Sequence, residues 1–301
     1  MTRVAAVDLG TNSTRLLVAD VRDGRLDEIA RRLTITRLGE GVDQLHRLLP
    51  AAMARVHACL AGYRRELEAL GATRALAVAT SAVRDAENGN AFLEEIASHY
   101  DFTTRLLDGR EEAELTFRGA SSDRPLPDGT LLLDIGGGST ELLSGGPSGI
   151  SFSSSLQIGC VRLTERFLAT DPPAHTELQA CARYVRGMLP RLDVEIAVGV
   201  AGTVTTAAAL DLGLDIYDSA RIHRHRIPRA AIDQITECLA ALPLAERERV
   251  PGLEPARAPV IVAGLIILGE VMDAYGLDAI EASERDILHG IALLAAELAA
   301  H

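Results

Sequence analysis

The chain repeats itself. The segment V-A-A-V-D-L-G-T-N-S-T-R-L-L, ending at Leu17, returns as T-L-L-L-D-I-G-G-G-S-T-E-L-L, ending at Leu143. From the aspartate onward six of ten positions are identical: Asp8 with Asp134, Gly10 with Gly136, Ser13 with Ser139, Thr14 with Thr140, Leu16 with Leu142 and Leu17 with Leu143. Each copy is a short apolar strand, a polar turn containing glycine, and an apolar run that resumes after one charged residue. That pattern predicts a β-hairpin whose tip carries acids, hydroxyls and bare backbone. A duplication of this kind implies two lobes of like topology, with the aspartate-bearing turns facing each other across a cleft.

The rest of the chain alternates strand and helix, which predicts an α/β architecture. Residues 51–70, 89–98, 110–119, 230–241, 258–275 and 284–299 read as helices, and Arg74 to Ala79 and Ile196 to Val200 as strands. Ser283 is the expected N-cap of the last helix, with Asp286 three residues on as a variant of the capping box. The stretch from Ser121 to Gly129, S-S-D-R-P-L-P-D-G, has the composition of a connection between lobes. A first lobe over 1–120 and a second over 121–288 follow.

Composition narrows the chemistry. The formal charge is −12, whereas nonspecific nucleic-acid binders are normally basic. Aromatic residues make up 3% of the chain and Trp is absent, which argues against base stacking as the main binding mode. No lysine occurs, so all 30 basic residues are arginine. A P-loop needs its lysine on the phosphates and a Schiff-base enzyme needs an amine, so both classes are excluded. Arginine still binds phosphate in a bidentate manner. Cys59, Cys160, Cys181 and Cys238 form no C-x-x-C pair or zinc-ligand spacing and are expected to be reduced thiols of a cytoplasmic protein. The N-terminus lacks a signal-peptide pattern, and the apolar run from Pro259 to Gly269 is too short to span a bilayer, so no membrane association is expected.

A site for a dense polyanion needs close backbone N–H groups, metal-binding carboxylates and fixed cations. The turn Gly136-Gly137-Gly138-Ser139-Thr140 meets the first need, because glycine admits φ > 0 and lets the backbone approach a ligand. Thr11-Asn12-Ser13-Thr14 is its counterpart with side-chain donors, and Gly199-Val-Ala-Gly202-Thr203 is a third such turn. Asp8 and Asp134 close their strands at equivalent places, where two carboxylates can hold one Mg²⁺, with Glu141 as a further ligand. Arg84, in T-S-A-V-R-D-A, lies just past a strand end, where α/β proteins place ligand-binding groups. The helix opening D-G-R-E-E-A-E offers a carboxylate to orient and deprotonate water. The residues themselves do not choose among Glu111, Glu112 and Glu114.

The motifs V-D-L-G-T-N-S, T-S-A-V-R, G-R-E-E-A, D-I-G-G-G-S-T-E, I-G-C-V-R-L-T-E, A-G-T and S-E-R-D-I-L-H-G run in order over essentially the whole chain. Together they resemble the Ppx/GppA family of exopolyphosphatases and guanosine pentaphosphate phosphohydrolases, within the actin-like/sugar-kinase (ASKHA) superfamily. The chain resembles the short, two-domain actinobacterial members. The resemblance implies two ribonuclease-H-like domains, with residues 289–301 returning to the first. It implies Glu112 as the catalytic base and Arg84 as a phosphate contact. Asp134 and Glu141 match the Mg²⁺-linked acids, while Asn12, Ser13, Gly136, Gly137, Gly138, Ser139, Gly202 and Thr203 match the phosphate cradle. Mg²⁺ is the expected cofactor, with Mn²⁺ as a substitute and a monovalent cation such as K⁺ beside it. A homodimer is the expected assembly. The expected reaction is release of terminal phosphate from polyphosphate, with pppGpp as the alternative substrate. A kinase or a noncatalytic nucleotide switch of the same superfamily fits less well, because G-R-E-E-A marks the hydrolases. Many members carry Gly-x-Leu-Arg-Glu-Gly where this chain has Asp286-Ile-Leu-His-Gly290, so no role carries over there. The basic stretch Arg221-Ile-His-Arg-His-Arg226 is either a guide for phosphates or a solvated strand face.

Overall fold

The structure is a computed structural model and describes residues 2–72 and 74–299. It divides into two compact units, Met1–Pro125 with Arg285–His301, and Leu126–Glu284. The first division falls inside the Pro-rich loop, five residues beyond the boundary expected at 120.

In the first unit β1 (Thr2–Leu9), β2 (Ser13–Arg22) and β3 (Arg25–Ile35) form an antiparallel meander. The short α1 (Val42–Leu45) and long α2 (Pro50–Leu70) lead to β4 (Ala75–Ala79), α3 (Ser81–Arg84), α4 (Gly89–Tyr100), β5 (Thr103–Leu106) and α5 (Gly109–Ala120). The sheet order is β3-β2-β1-β4-β5, with β4 and β5 parallel to β1. β1 is buried on both faces and therefore reads as an almost unbroken apolar run. Ala5, Val7 and Leu9 join a core with Leu60 and Leu67 of α2 and Phe92 and Ile96 of α4. Val4 and Ala6 join a separate core on the opposite face. α2 starts with Pro at its first turn and stops at Gly71, whose φ of 69° carries the left-handed cap.

The second unit repeats the plan. β6 (Thr130–Ile135), β7 (Thr140–Gly146) and β8 (Gly149–Leu156) form its meander. α6 (Cys160–Phe167) and α7 (His175–Met188) precede β9 (Ile196–Val200), and α8 (Ala201–Asp211) and α9 (Ser219–Ile222) follow it. Then come β10 (Arg226–Pro228), α10 (Arg229–Ala241), α11 (Leu244–Arg247), α12 (Ile261–Ala274) and β11 (Ala279–Ala282). The order β10-β11-β9-β6-β7-β8 contains the first sheet's pattern, with β9 and β11 in the places of β4 and β5 and β10 added at the edge. Two ribonuclease-H-like sheets of this kind make the actin-like α/β fold. The registers repeat too: Asp8 lies opposite Arg15, and Asp134 opposite Glu141. α12 is buried nearly all round, as its uninterrupted apolar sequence requires. Among the described residues no helix is long and apolar enough to cross a membrane.

The last helix, α13 (Ile287–Leu298), belongs to the first unit. Its Leu288, Ile291 and Ala292 cover Val4 and Ala6 of β1, together with Leu115 of α5. It begins three residues later than expected. The Ser283 amide is committed to the Gly199 carbonyl at 2.8 Å, so Ser283 still runs with the sheet. Asp286 is the N-cap instead, and His289 completes the capping box. The basic stretch 221–226 is likewise no strand face: Arg221 and Ile222 end α9, only Arg226 enters β10, and His225 Nε2 sits 2.6 Å from Asp211.

Candidate active site

Within the first unit, the parallel strands β1, β4 and β5 end side by side, with Leu9 beside Ala79 and Ala79 beside Leu106. The residues that follow these ends carry the chemistry, as expected for the carboxyl edge of an open α/β sheet. After β1 comes the turn Gly10–Asn12, closed by the Gly10 amide on the Ser13 carbonyl at 3.0 Å. After β4 comes Thr80–Arg84, and after β5 the start of α5. Thr11 Oγ1 and Ser81 Oγ are hydrogen-bonded at 2.9 Å, tying the first turn to the second. Arg84 Nη1 donates to the Leu107 carbonyl (2.8 Å) and to Glu112 Oε2 (3.3 Å), tying the second to the third.

The three glutamates that the sequence leaves equivalent have different surroundings. Glu111 closes a capping box: Asp108 accepts the amides of Arg110 and Glu111, and Glu111 Oε2 accepts the Asp108 N–H. Glu111 also pairs with Arg105. Glu114 is exposed and pairs with Arg110 one turn away. Glu112 is buried at 8% exposure and faces Arg84. Of the three it is the acid held inside the sheet edge, beside an arginine suited to phosphate.

Asp8 is also buried, and burial pushes its carboxyl above the usual range while Arg15 opposes the shift. Arg15 donates through Nε (2.9 Å) and Nη2 (2.6 Å), both to Oδ2 of Asp8. Oδ1 is buried without a hydrogen-bond partner, and so is Nδ2 of Asn12 in the adjoining turn. An orphaned acceptor at a strand end and an orphaned donor in the turn that follows it are costly unless a ligand completes them. A hydrated cation and a phosphate oxygen have the matching chemistry. Ser13, half-buried at the start of β2, completes this turn. Among the described residues no cluster of three or more His, Cys, Asp or Glu side chains forms a ready-made metal cage. Mg²⁺ does not need one: it keeps several waters and takes one or two carboxylates plus substrate phosphates. The Asp8 site fits that pattern.

In the second unit, Asp134 and Glu141 lie directly opposite each other and both are buried. Ser155 donates to Glu141 Oε1 at 2.7 Å. The glycine turn is shaped by α6. The amides of Cys160 (3.0 Å) and of Val161 and Arg162 (2.9 and 3.1 Å) bind the carbonyls of Gly136 and Gly137, and Arg162 Nε binds the Gly138 carbonyl at 2.8 Å. In a trans peptide the N–H points opposite to the C=O. The N–H groups of Gly137, Gly138 and Ser139 therefore face away from α6, and successive amides presented together form an anion nest. Gly159 makes this approach feasible, since a Cβ there would lie 2.4 Å from the Gly137 carbonyl carbon.

The glycines differ from expectation in how they work. Neither Gly136 nor Gly202 has positive φ. At Gly202 the constraint is space: a Cβ would sit 1.8 Å from Nη1 of Arg257, whose guanidinium lies against the turn. The residue in the left-handed region is its neighbour Ala201, at φ 64°, a conformation that persists only where the surroundings impose it. Thr203 is buried, with Oγ1 2.6 Å from the space a Cβ on Gly264 would fill, so its side chain packs toward α12. What the start of α8 offers an anion is backbone N–H. Asp134 is paired with Val200, which places this turn on the same sheet edge as the glycine turn.

Sequence reasoning missed Arg15, Arg257, Gly159 and Asp286. Arg15 and Glu141 occupy equivalent positions of the repeat, so a cation facing Asp8 and an acid facing Asp134 were visible there as a mismatch. Asp286 is buried, and burial would raise its carboxyl pKa; Arg15, a hydrogen bond to His289 and Arg31 together hold it well below the usual range.

Comparison with known proteins gives a consistent result. The sequence profile of the Ppx/GppA phosphatase family matches residues 17–298. The chain is 40% identical to Exopolyphosphatase 2 of Mycobacterium tuberculosis, over 97% of this chain and 98% of that one. Its fold is similar to the crystal structure of the Aquifex aeolicus Ppx/GppA family member, with a TM-score of 0.82 and 29% identity over 100% of this chain and 99% of the other. It is also similar to an exopolyphosphatase from Cytophaga hutchinsonii, with a TM-score of 0.88 and 26% identity over 96% of both chains. The chain therefore belongs to the Ppx/GppA phosphatase family and is a hydrolase of phosphoanhydride bonds.

Proposed function

We propose that this protein is an exopolyphosphatase, releasing terminal orthophosphate from inorganic polyphosphate by base-assisted attack of water. The observation that carries the reading is the placement of Glu112. It is the buried acid of the G-R-E-E-A-E run, at the start of α5 and in contact with Arg84, while Glu111 and Glu114 are committed to a cap and an exposed ion pair. Glu112 accepts the proton of the attacking water, a contribution of about 10²- to 10⁴-fold for a positioned base. Arg84 holds a non-bridging phosphate oxygen and, through its contact with Glu112, keeps that carboxylate beside it. In the first unit Asn12 Nδ2 and Ser13, and in the second the amides of Gly137, Gly138 and Ser139 and the backbone at Gly202 and Thr203, are donors for phosphate oxygens. Asp8 in the first unit, and Asp134 and Glu141 in the second, are the carboxylates with the chemistry to hold Mg²⁺, which when bound would neutralise charge on the phosphate oxygens. The 40% identity to a protein named Exopolyphosphatase 2 supports polyphosphate as the substrate.

The test is phosphate release from polyphosphates of defined length, from pppGpp and from ATP, each with Mg²⁺ or with a chelator. We expect Mg²⁺-dependent release that is fastest on polyphosphate. Release from pppGpp alone would replace the substrate assignment, and chelator-resistant release would remove the metal from the reaction.

A further inference from the structure

We infer that Asp286 is a positioning residue for Asp8: by holding one end of the Arg15 guanidinium, it keeps Arg15 on Oδ2 of Asp8 and leaves Oδ1 for the cation. This rests on the reading of Asp8 as a carboxylate that holds Mg²⁺.

A guanidinium facing a single carboxylate settles fork to fork, with two parallel N–H groups on the two oxygens. Arg15 does otherwise. Its Nε and Nη2 both go to Oδ2 of Asp8, and its Nη1 goes to Oδ2 of Asp286. The planar group is thus fixed between two carboxylates, and Oδ1 of Asp8 is left buried without a hydrogen bond. Removing the charge of Asp286 releases the Nη1 end of the guanidinium, and Arg15 can then turn to close on both oxygens of Asp8. The acceptor that a metal or its water needs would then be occupied.

Asp286 is fixed well enough for such a role. Its Oδ1 accepts the Leu288 amide at 3.0 Å as the cap of α13. Its own N–H donates to Nδ1 of His289 at 3.2 Å. On its other side the His289 ring places Nε2 3.0 Å from Glu28 Oε1 on β3. Arg285 pairs with the same Glu28 oxygen at 2.7 Å. The backbone is held as closely. A Cβ on Gly119 of α5 would lie 1.8 Å from the Asp286 carbonyl oxygen, and one on Gly290 of α13 would lie 2.0 Å from the Leu115 carbonyl oxygen. The helix that carries Glu112 and the residue that aims Arg15 are in backbone contact.

The experiment is direct Mn²⁺ binding by full-length protein, read from the electron paramagnetic resonance of the free aquo ion, for wild type, D8N, D286N, R15Q and D286N/R15Q. Asn at 286 keeps the cap acceptor and the shape but not the charge. We expect the Mn²⁺ Kd to rise ~10- to 100-fold in D286N, the usual cost of removing a partner of a metal ligand. Because Asp286 acts through Arg15, D286N should have no further effect in the R15Q background. An unchanged Kd in D286N, or the same loss with and without Arg15, would overturn the inference. If D8N binds Mn²⁺ as wild type does, the fault lies instead in the reading of Asp8 as a metal ligand. Should D286N fail to fold, D286S, which retains an N-cap oxygen, carries the same test.

Discussion

Replacing Gly119 with alanine should destabilise the protein, although Gly→Ala inside a helix ordinarily does the reverse. Away from tertiary contacts, the change is worth up to about 1 kcal/mol in favour of alanine. At Gly119 the new Cβ would lie 1.8 Å from the Asp286 carbonyl oxygen, 2.7 Å from its carbon and 3.0 Å from the Gly290 nitrogen. A carbon–oxygen contact needs about 3.3 Å, so α5 and α13 must separate locally by roughly 1.5 Å. The obstructing atoms are backbone and cannot rotate away. Over-packing of this kind costs about 1–3 kcal/mol, occasionally more. Gly119 falls at the upper end, for a net loss of about 2 kcal/mol after the helical gain. The control is Gly62→Ala in α2, where a Cβ meets nothing within 4 Å and stabilisation of about 0.5–1 kcal/mol is expected. Urea denaturation followed by far-UV circular dichroism suits a chain without Trp. The midpoint should fall in G119A and rise in G62A at similar m. A rise in both would refute the backbone contact between α5 and α13, and with it the account of how Asp286 is held.

Two further predictions follow from the same unit. Arg84→Ala removes a proposed phosphate contact and the partner of Glu112, so the KM for polyphosphate should rise about tenfold or more, in line with loss of a charge-assisted bond; an unchanged KM would place Arg84 outside the site. The hydrogen bond from His289, aided by the charges of His289, Arg285 and Arg31, holds the Glu28 carboxyl below its usual range. A carboxylate with a lowered folded-state pKa stabilises above its unfolded pKa and loses that contribution as pH falls through the folded value. Denaturation midpoints from pH 7 down to about 3 should therefore drop less in E28Q than in wild type, and parallel curves would contradict the assignment.

Much of this was legible in the residues. The repeat around Asp8 and Asp134 set two equivalent sheets, because an apolar strand, a polar turn and a second apolar strand have few other solutions. The sequence left β3 and β8 unannounced. β3, R-L-D-E-I-A-R-R-L-T-I, is an edge strand whose charges hide its period and discourage pairing with another chain. α7 was hidden for a similar reason, since only Cys181 and Val185 of its fourteen residues are buried. At the site, the turns and their order were readable, but the contacts that set them were not. Arg15 and Asp286 are 271 residues apart, and the link between Gly202 and Arg257 depends on how the segment before α12 folds back. The choice among three glutamates needed the cap: once Glu111 closes the capping box with Asp108, helical geometry turns Glu112 inward.

Glu112, as the proposed base, is the residue on which turnover should depend. Glu112→Gln and Glu111→Gln should be compared for phosphate release from polyphosphate at saturating Mg²⁺, with substrate binding measured in parallel. Glu112→Gln should lose about 10²- to 10⁴-fold in kcat while still binding polyphosphate, and Glu111→Gln, which touches a cap and an ion pair, should stay near wild type. Full turnover in Glu112→Gln, or equal losses in the two variants, would contradict that assignment.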